Sequence, residues 1–234
     1  MYKTIEFQDT IDKNIISDFK NALQKWGKVS ICQFPWRYHT DPYVILVSEF
    51  MLHRTQARQV VPVFQDFIHK YPDLETFVQS NPVEVRNDIR SLGLVWRSDG
   101  MINALTTIWN KFGQVPLEYG DLCSINGIGP YIAGATLCFS QNKPFTLIDT
   151  NVVRVVGRFF GLDLKGEARR RKSMICAINT VVDLNEPRNF YFAIIDLAHT
   201  ICRPHKPSCE SCPLQILPCQ FKMECENLSK FKIQ

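Results

Sequence analysis

The amino-acid sequence predicts an all-α protein of about ten helices joined by short loops. Two observations predict this fold class. Apolar residues recur at helical spacing between residues that typically begin or end helices, and no run alternates between apolar and polar residues as a half-buried strand would. The chain has 234 residues, a length that suits one domain or two closely packed domains.

Five helices are predicted in the N-terminal half. The first follows Asp12, which can cap a helix start, and ends at Gly27. Asp41 and Pro42 are typical of the cap and first residue of the next helix, YVILVSEFMLHR, which is apolar nearly all round and should therefore be buried. Three amphipathic helices follow: one carrying Val60, Val61, Phe64, Phe67 and Ile68, one from Asn81–Pro82 to near Gly93, and one from Ser98 to Phe112.

Four more helical stretches are predicted in the C-terminal half. The turn SINGIGP precedes the stretch YIAGATLCFSQ, and TNVVRVVGRFFG forms the next one. Two further helical stretches lie between Gly166 and Ile201.

Composition excludes wholesale disorder, because 45% of the residues are hydrophobic and 21% are charged. No apolar run is long enough to cross a bilayer, and the start MYKTIEFQDTIDKN has acidic residues and no apolar core, so it is not a secretory signal. We therefore expect a cytoplasmic protein, associated with the nucleoid in a prokaryote. In a reducing compartment the nine cysteines should be core residues or metal ligands, not disulfides.

The turn before YIAGATLCFSQ is a candidate anion site. Gly127 and Gly129 flank Ile128 and permit a tight turn, and Pro130 follows at the first position of a helix. The N–H groups at that helix start would face an anion, and in a basic chain (net charge +4) a nucleic-acid phosphate is the natural one. The alternative is a plain helix–turn–helix connection without a ligand.

Two carboxylates stand where a carboxylate is unexpected. Glu49 lies within the apolar helix, where it must be either a structural hydrogen-bonding group or a functional one. Asp149 precedes the helix VVRVVGRFF and can cap it. An ionised aspartate at that position can also stabilise a developing positive charge, so the structural and the functional interpretations of Asp149 are compatible.

Four of the nine cysteines lie close together near the C-terminus, with six, two and six residues between them: Cys202, Cys209, Cys212 and Cys219. Such a group indicates a metal site. A structural zinc site usually has two close pairs of ligands and this segment has one, so the spacing favours a [4Fe–4S] cluster while leaving zinc open.

In combination, these motifs resemble the helix-hairpin-helix DNA glycosylases of the endonuclease III type. The resemblance runs from FPWR through DPYVILVSE, INGIGPYIAG and LIDTNVVRV to Cys219. It implies a six-helix barrel lobe (residues 32–142), a discontinuous iron–sulfur cluster lobe (residues 1–31 and 143–225) and a tail (residues 226–234), with the DNA cleft between the lobes. It also implies that Gly127, Ile128 and Gly129 bind the DNA backbone, that Asp149 is the family's aspartate and that the four cysteines hold the cluster.

Tyr131 decides the branch of the family that the chain resembles most. Members with lysine at this position form a Schiff base with the sugar, which a phenol cannot do. With DPYVILVSE and HRTQ, a tyrosine here resembles the thymine–guanine mismatch DNA glycosylases, which remove thymine or uracil opposite guanine. Adenine glycosylases tend to have serine at this position and carry a large C-terminal recognition domain, whereas fifteen residues follow Cys219 here.

These features lead to one mechanistic hypothesis. The enzyme, a monomer, would bind double-stranded DNA with a mismatched or damaged base and evert that base. Asp149 would stabilise the oxocarbenium-like sugar, Tyr131 would contact the base, and Glu49 would order water or protonate the departing base. His53, Arg54 and Gln56 would contact DNA at the gap. The alternatives are an adenine glycosylase, a glycosylase for another modified base, and a DNA-binding scaffold without catalysis.

Overall fold

The computed structural model describes residues 11–93 and 95–231, without the side chains of residue 95 and residues 228–231. Within these ranges the chain forms α-helices, short 3-10 helices and loops but no strand, which confirms the all-α prediction. None of the described helices is long and apolar enough to cross a membrane.

The described ranges contain twelve α-helices, which we number in chain order: α1 (Lys13–Ser30), α2 (Pro42–Leu52), α3 (Ala57–Lys70), α4 (Leu74–Gln79), α5 (Pro82–Asp88), α6 (Val95–Phe112), α7 (Tyr119–Cys123), α8 (Pro130–Gln141), α9 (Thr150–Phe160), α10 (Lys172–Val181), α11 (Pro187–Thr200) and α12 (Gln220–Phe231). Short 3-10 helices cover Pro35–Tyr38, Arg90–Leu92, Ala168–Arg170 and Cys209–Ser211.

The helices are grouped into two compact units. The continuous unit is the segment Gln33–Lys143, and the discontinuous unit combines the described residues of Met1–Cys32 with those of Pro144–Gln234. Each unit has its own apolar core.

Helix α2 is the centre of the continuous unit. All its residues from Tyr43 to Met51 are buried, as its sequence predicts, and α2 packs against α8 and α3. The Asp41 side chain accepts a hydrogen bond from the Tyr43 N–H at 2.7 Å, so Asp41 is the predicted cap and Pro42 the first helical residue.

The discontinuous unit is built around α11, which packs against α1 and α9. Phe19 of α1 meets Phe159 of α9 with ring centroids 4.8 Å apart, and both side chains are buried. The predicted cap of α1 is also observed, since Asp12 accepts a hydrogen bond from the Asn14 N–H at 2.8 Å.

Gly27 does not end α1, and that prediction was wrong. The helix continues to Ser30, and Gly27 is one of its buried residues. A Cβ atom at Gly27 would stand 2.7 Å from the Cβ atom of Ala193 in α11. The glycine therefore serves close packing between two helices instead of helix termination.

Other helix boundaries also differ from the prediction. Helix α2 stops at Leu52, so His53 and Arg54 lie in a turn, and Arg54 has a left-handed φ of 59°. Helix α6 begins at Val95, three residues before Ser98. Three helices were not predicted. Helices α4 and α7 have six and five residues, too few to show a helical period. Helix α12 lies beyond the last helical stretch read from the sequence, which ended at Ile201.

Candidate functional site

The turn between α7 and α8 has the conformation that its glycines predict. Gly127 has a φ of 92°, a left-handed value that side chains disfavour, and the buried Ile128 closes the turn by donating from its N–H to the Ile125 carbonyl at 3.0 Å. We call residues 124–130 the hairpin turn. Its glycines and the start of α8 are exposed, so the N–H groups at the positive end of α8 face solvent.

The two glycines of the hairpin turn have different explanations. The backbone conformation accounts for Gly127. At Gly129 φ is an ordinary −81°, and a Cβ atom built there would meet nothing within 4 Å. The protein itself therefore leaves room at Gly129, which is the room that close approach of an external phosphate requires.

Asp149 caps α9. Its Oδ1 atom accepts hydrogen bonds from the N–H groups of Asn151 at 2.6 Å and Val152 at 3.4 Å. The side chain is only half-buried, so it is not sealed inside the core. Both interpretations of this residue from the sequence thus remain compatible: the carboxylate caps the start of α9 and keeps an accessible face.

Two arginines of α9 join this helix to the cysteine segment. Arg154 donates from Nε to the Cys202 carbonyl at 2.9 Å and from an Nη atom to the Ala198 carbonyl at 3.0 Å. Arg158 donates to the carbonyls of Arg203 at 2.7 Å and Pro204 at 2.9 Å, and its guanidinium lies 4.5 Å from the centroid of the Phe221 ring.

Arg154 also lies near Asp149. Burial lowers the pKa of Arg154, Arg158 lowers it further, and the charge of Asp149 acts in the opposite direction. Arg154 donates to the Asn151 Oδ1 atom at 3.0 Å as well. One continuous set of polar contacts therefore runs from the first turn of α9 to the start of the cysteine segment.

The four predicted ligand cysteines are half-buried and near one another. The pKa of Cys212 is raised to about 11, mainly by burial, and the neighbouring thiols of Cys202, Cys219 and Cys209 contribute to this rise. Arg158 contacts two of the four, donating to the Cys202 Sγ atom at 3.5 Å and accepting at its carbonyl from Cys219 at 3.8 Å. Within the described ranges, no three or more Cys, His, Asp or Glu side chains are arranged to hold a single metal ion.

Glu49 and Tyr131 lie on two helices that pack together, α2 and α8. Glu49 is 8% exposed, which makes it a rare buried acid in an otherwise apolar helix. Tyr131 is the second residue of α8, directly after Pro130, and is half-buried. Both residues belong to the continuous unit, as do His53, Arg54 and Gln56, whereas Asp149 and the cysteines belong to the discontinuous unit.

Arg97 holds the turn after α2, which contains three exposed residues of the candidate site, His53, Arg54 and Gln56. The buried Arg97 guanidinium donates to the His53 carbonyl at 2.5 Å and the Thr55 hydroxyl at 2.6 Å. The other Nη atom donates to the Leu92 carbonyl at 2.9 Å. Desolvation, with Arg54 and Arg97 nearby, lowers the pKa of His53, so its imidazole is neutral at pH 7.

The sequence interpretation missed Arg97, Arg154 and Arg158. The two arginines of α9 did leave a signal, since they stand four residues apart in an otherwise apolar helix and so share one face. Arg97 left no such signal, because most of its partners are carbonyl groups that only the fold brings to it.

Comparison with known proteins identifies relatives over most of the chain. The family described as "HhH-GPD superfamily base excision DNA repair protein" matches residues 47–176. A thymine/uracil-DNA glycosylase of Methanothermobacter thermautotrophicus is 31% identical over 194 residues, which are 82% of this chain and 87% of that protein. A thymine-DNA glycosylase of Aeropyrum pernix is 32% identical over 210 residues, 87% of this chain and 94% of that protein.

Two further matches bear on fold and substrate. The solved structure of a thermostable thymine-DNA glycosylase has a TM-score of 0.80 and 28% sequence identity, and it covers 90% of this chain and 98% of its own. An adenine DNA glycosylase of Buchnera aphidicola is 29% identical over 182 residues, which are 77% of this chain but 52% of that protein. These similarities confirm the helix-hairpin-helix glycosylase fold that the motifs predict.

Proposed function

Because the chain belongs to the HhH-GPD superfamily of base excision DNA repair proteins, we propose that it is a monofunctional DNA glycosylase acting on thymine or uracil mispaired with guanine. Its reaction is hydrolysis of the N-glycosidic bond in double-stranded DNA after the base is everted. Support for this substrate comes from the names of the relatives that match along nearly their whole length. The protein acts as a monomer in the compartment that holds the DNA, the cytoplasm and its nucleoid in a prokaryote.

The observation that carries the proposal is the position of Asp149. Cleavage of the glycosidic bond gives the sugar oxocarbenium character, and a fixed carboxylate beside it stabilises that charge. Two backbone N–H groups hold the Asp149 carboxylate in place while the side chain keeps an accessible face. A preorganised charge of this kind need not reorient as the reaction proceeds.

Glu49 and Tyr131 are assigned supporting roles. Glu49 is a buried carboxyl group, and a carboxyl group can transfer a proton to the departing base or order the attacking water. Tyr131 contacts the everted base and has no amine for attack on the sugar. The enzyme should therefore leave an abasic site and show little strand cleavage.

DNA is held by the hairpin turn and by the turn after α2. The N–H groups around Gly127, Ile128 and Gly129 bind a backbone phosphate, for which the open space at Gly129 leaves room. Arg54 and Gln56, both exposed, contact the gap that the everted base leaves, together with His53.

The cysteines are proposed to hold a [4Fe–4S] cluster. Support for the cluster comes from four neighbouring thiols and from their spacing, in which one close pair, Cys209 and Cys212, lies between two more distant cysteines. When bound, the cluster supplies a rigid cross-link of the segment that carries the exposed Arg203, His205 and Lys206, which are available for phosphate contacts.

The cluster proposal predicts a brown protein with about four iron and four sulfide per chain. Cys212→Ser should lose the brown absorbance and most of the iron. Cys225→Ser is the matched control. Cys225 is an exposed thiol near enough to Cys209 to raise the pKa of Cys209, but it lies outside the proposed ligand set. Metal analysis and absorbance spectra measure both; a colourless wild-type protein loaded with zinc would contradict the cluster.

The substrate proposal is tested with a panel of duplexes under single-turnover conditions. We expect release of thymine from T·G and of uracil from U·G duplexes, with strand breaks only after alkali treatment. Release of adenine opposite oxidised guanine, without release of thymine or uracil, would identify the chain as an adenine glycosylase. If the protein binds DNA but releases no base from any duplex of a broad lesion panel, it is a non-catalytic DNA-binding scaffold.

A further inference from the structure

Trp96 is an exposed aromatic side chain that no role above uses. It lies in the first turn of α6 and is 55% exposed, whereas the other tryptophans, Trp26, Trp36 and Trp109, are half-buried or buried. A single exposed apolar residue is ordinary on a protein surface. The surroundings of Trp96 are not ordinary, as three observations show.

First, Trp96 is paired with His53. Their ring centroids lie 5.7 Å apart with an interplanar angle of 84°, an edge-to-face contact. The contact steadies the indole while leaving more than half of its surface open. We call Trp96 and His53 together the Trp96 platform.

Second, hydrogen bonds from Arg97 fix the backbone that carries the platform. Arg97, the next residue along α6, binds the carbonyls of Met51 at 3.3 Å and His53 at 2.5 Å. The same guanidinium binds the Leu92 and Gly93 carbonyls just before α6. A buried arginine that uses its donors on two adjoining loops fixes the backbone on both sides of the platform.

Third, the platform adjoins the hairpin turn. Trp96 and Gly100 are four residues apart on α6 and so lie on one face, with Cβ positions about 5–6 Å apart. A Cβ atom on Gly127 would stand 3.5 Å from the Gly100 carbonyl oxygen. The exposed indole is therefore about one helical turn from the element proposed to bind DNA phosphate.

We propose that the Trp96 platform is a stacking site for a nucleobase of the bound DNA. This base is the one that becomes exposed beside the everted nucleotide when that nucleotide leaves the duplex. Eversion opens the stack and uncovers the face of a base, and an exposed indole is well suited to cover it. Exposed Arg54, next to His53, carries a guanidinium of the kind that recognises guanine. Stacking would therefore hold the opened duplex, and Arg54 would favour a guanine in it.

This inference rests on the proposed DNA glycosylase function and is tested by binding and fluorescence, which do not require catalysis. We expect Trp96→Ala to weaken binding to a T·G duplex by at least about fivefold, because loss of one aromatic stacking partner has an effect of that order. Trp96→Phe, which keeps a ring, should weaken binding by less. Tyr38→Ala is the control, since Tyr38 is an exposed aromatic of the same unit that is 68% exposed and should not matter.

Intrinsic fluorescence supplies a readout that loss of stability alone would not change. Adding the T·G duplex should quench the emission of the wild-type protein more than that of Trp96→Phe, and undamaged duplex should quench less. Equal quenching in both proteins would refute stacking, as would unchanged affinity and base-release rate in Trp96→Ala. Equal weakening for damaged and undamaged duplexes would also refute it, because the site requires an exposed base. If wild type releases no base yet shows the quenching, the proposed function fails and the stacking site stands.

Discussion

Replacing Asp149 with asparagine is expected to slow base release by about 100- to 1,000-fold or more while leaving DNA affinity nearly unchanged. Asparagine has nearly the same shape and is as good a helix cap as aspartate. Its Oδ1 atom can accept the same hydrogen bonds from Asn151 and Val152 that the structure shows for Asp149. The substitution therefore removes the negative charge and little else.

The measurement is a single-turnover rate on a T·G duplex, with the dissociation constant and melting temperature determined in parallel. Asp12→Asn is a matched control, because Asp12 caps α1 through the same hydrogen bond to the residue two positions on, at 2.8 Å. The control should keep the wild-type rate. Base release by Asp149→Asn at the wild-type rate would show that the charge of Asp149 is not needed, and the mechanism would have to be abandoned.

Replacing Tyr131 with lysine is expected to create a bond between enzyme and DNA that the wild type does not form. A lysine amine can attack the sugar carbon from which the base departs, giving a Schiff base that borohydride reduces to a stable cross-link. Position 131 favours this chemistry, because it lies in the first turn of α8. The positive end of the helix disfavours an ammonium there and so favours the neutral, nucleophilic amine.

We expect the cross-linked fraction in Tyr131→Lys to exceed the wild-type background by at least about tenfold, with strand breaks appearing before any alkali treatment. Denaturing gels of borohydride-treated reactions measure both effects. Tyr131→Phe is the control, since phenylalanine keeps the aromatic contact with the base but has no amine and should give no cross-link. A lysine variant that still releases thymine but forms no cross-link would place residue 131 out of reach of the sugar.

The helices that follow local rules could be predicted from the sequence. Helix α2 begins where Asp41 and Pro42 indicate and is buried throughout, because its sequence is apolar on every face. The hairpin turn was also predictable, since Gly127 must adopt a left-handed φ.

Features that depend on tertiary contacts could not be predicted. Gly27 looks like a helix end in the sequence, but the structure needs a glycine there because Ala193 packs against it. Ala193 lies 166 positions away along the chain and approaches Gly27 only in the folded unit. The same holds for Arg97, because most of its partners are backbone carbonyl groups. Every residue has a carbonyl group, so the sequence does not indicate which of them Arg97 will use. The candidate site was therefore predictable in its motifs but not in Arg97, which holds the turn after α2.

The discontinuous unit has a consequence for protein synthesis. Helix α1 leaves the ribosome early, but α11, the helix on which its apolar side packs, is made more than 150 residues later. At typical elongation rates this delay is roughly 8 to 30 s. The segment Gln33–Lys143 is a compact unit made from one continuous stretch of chain, so we expect it to fold during that interval. Nascent chains should therefore hold a finished continuous unit beside an N-terminal helix that still exposes Phe19 and Leu23, the surface that a chaperone would bind first.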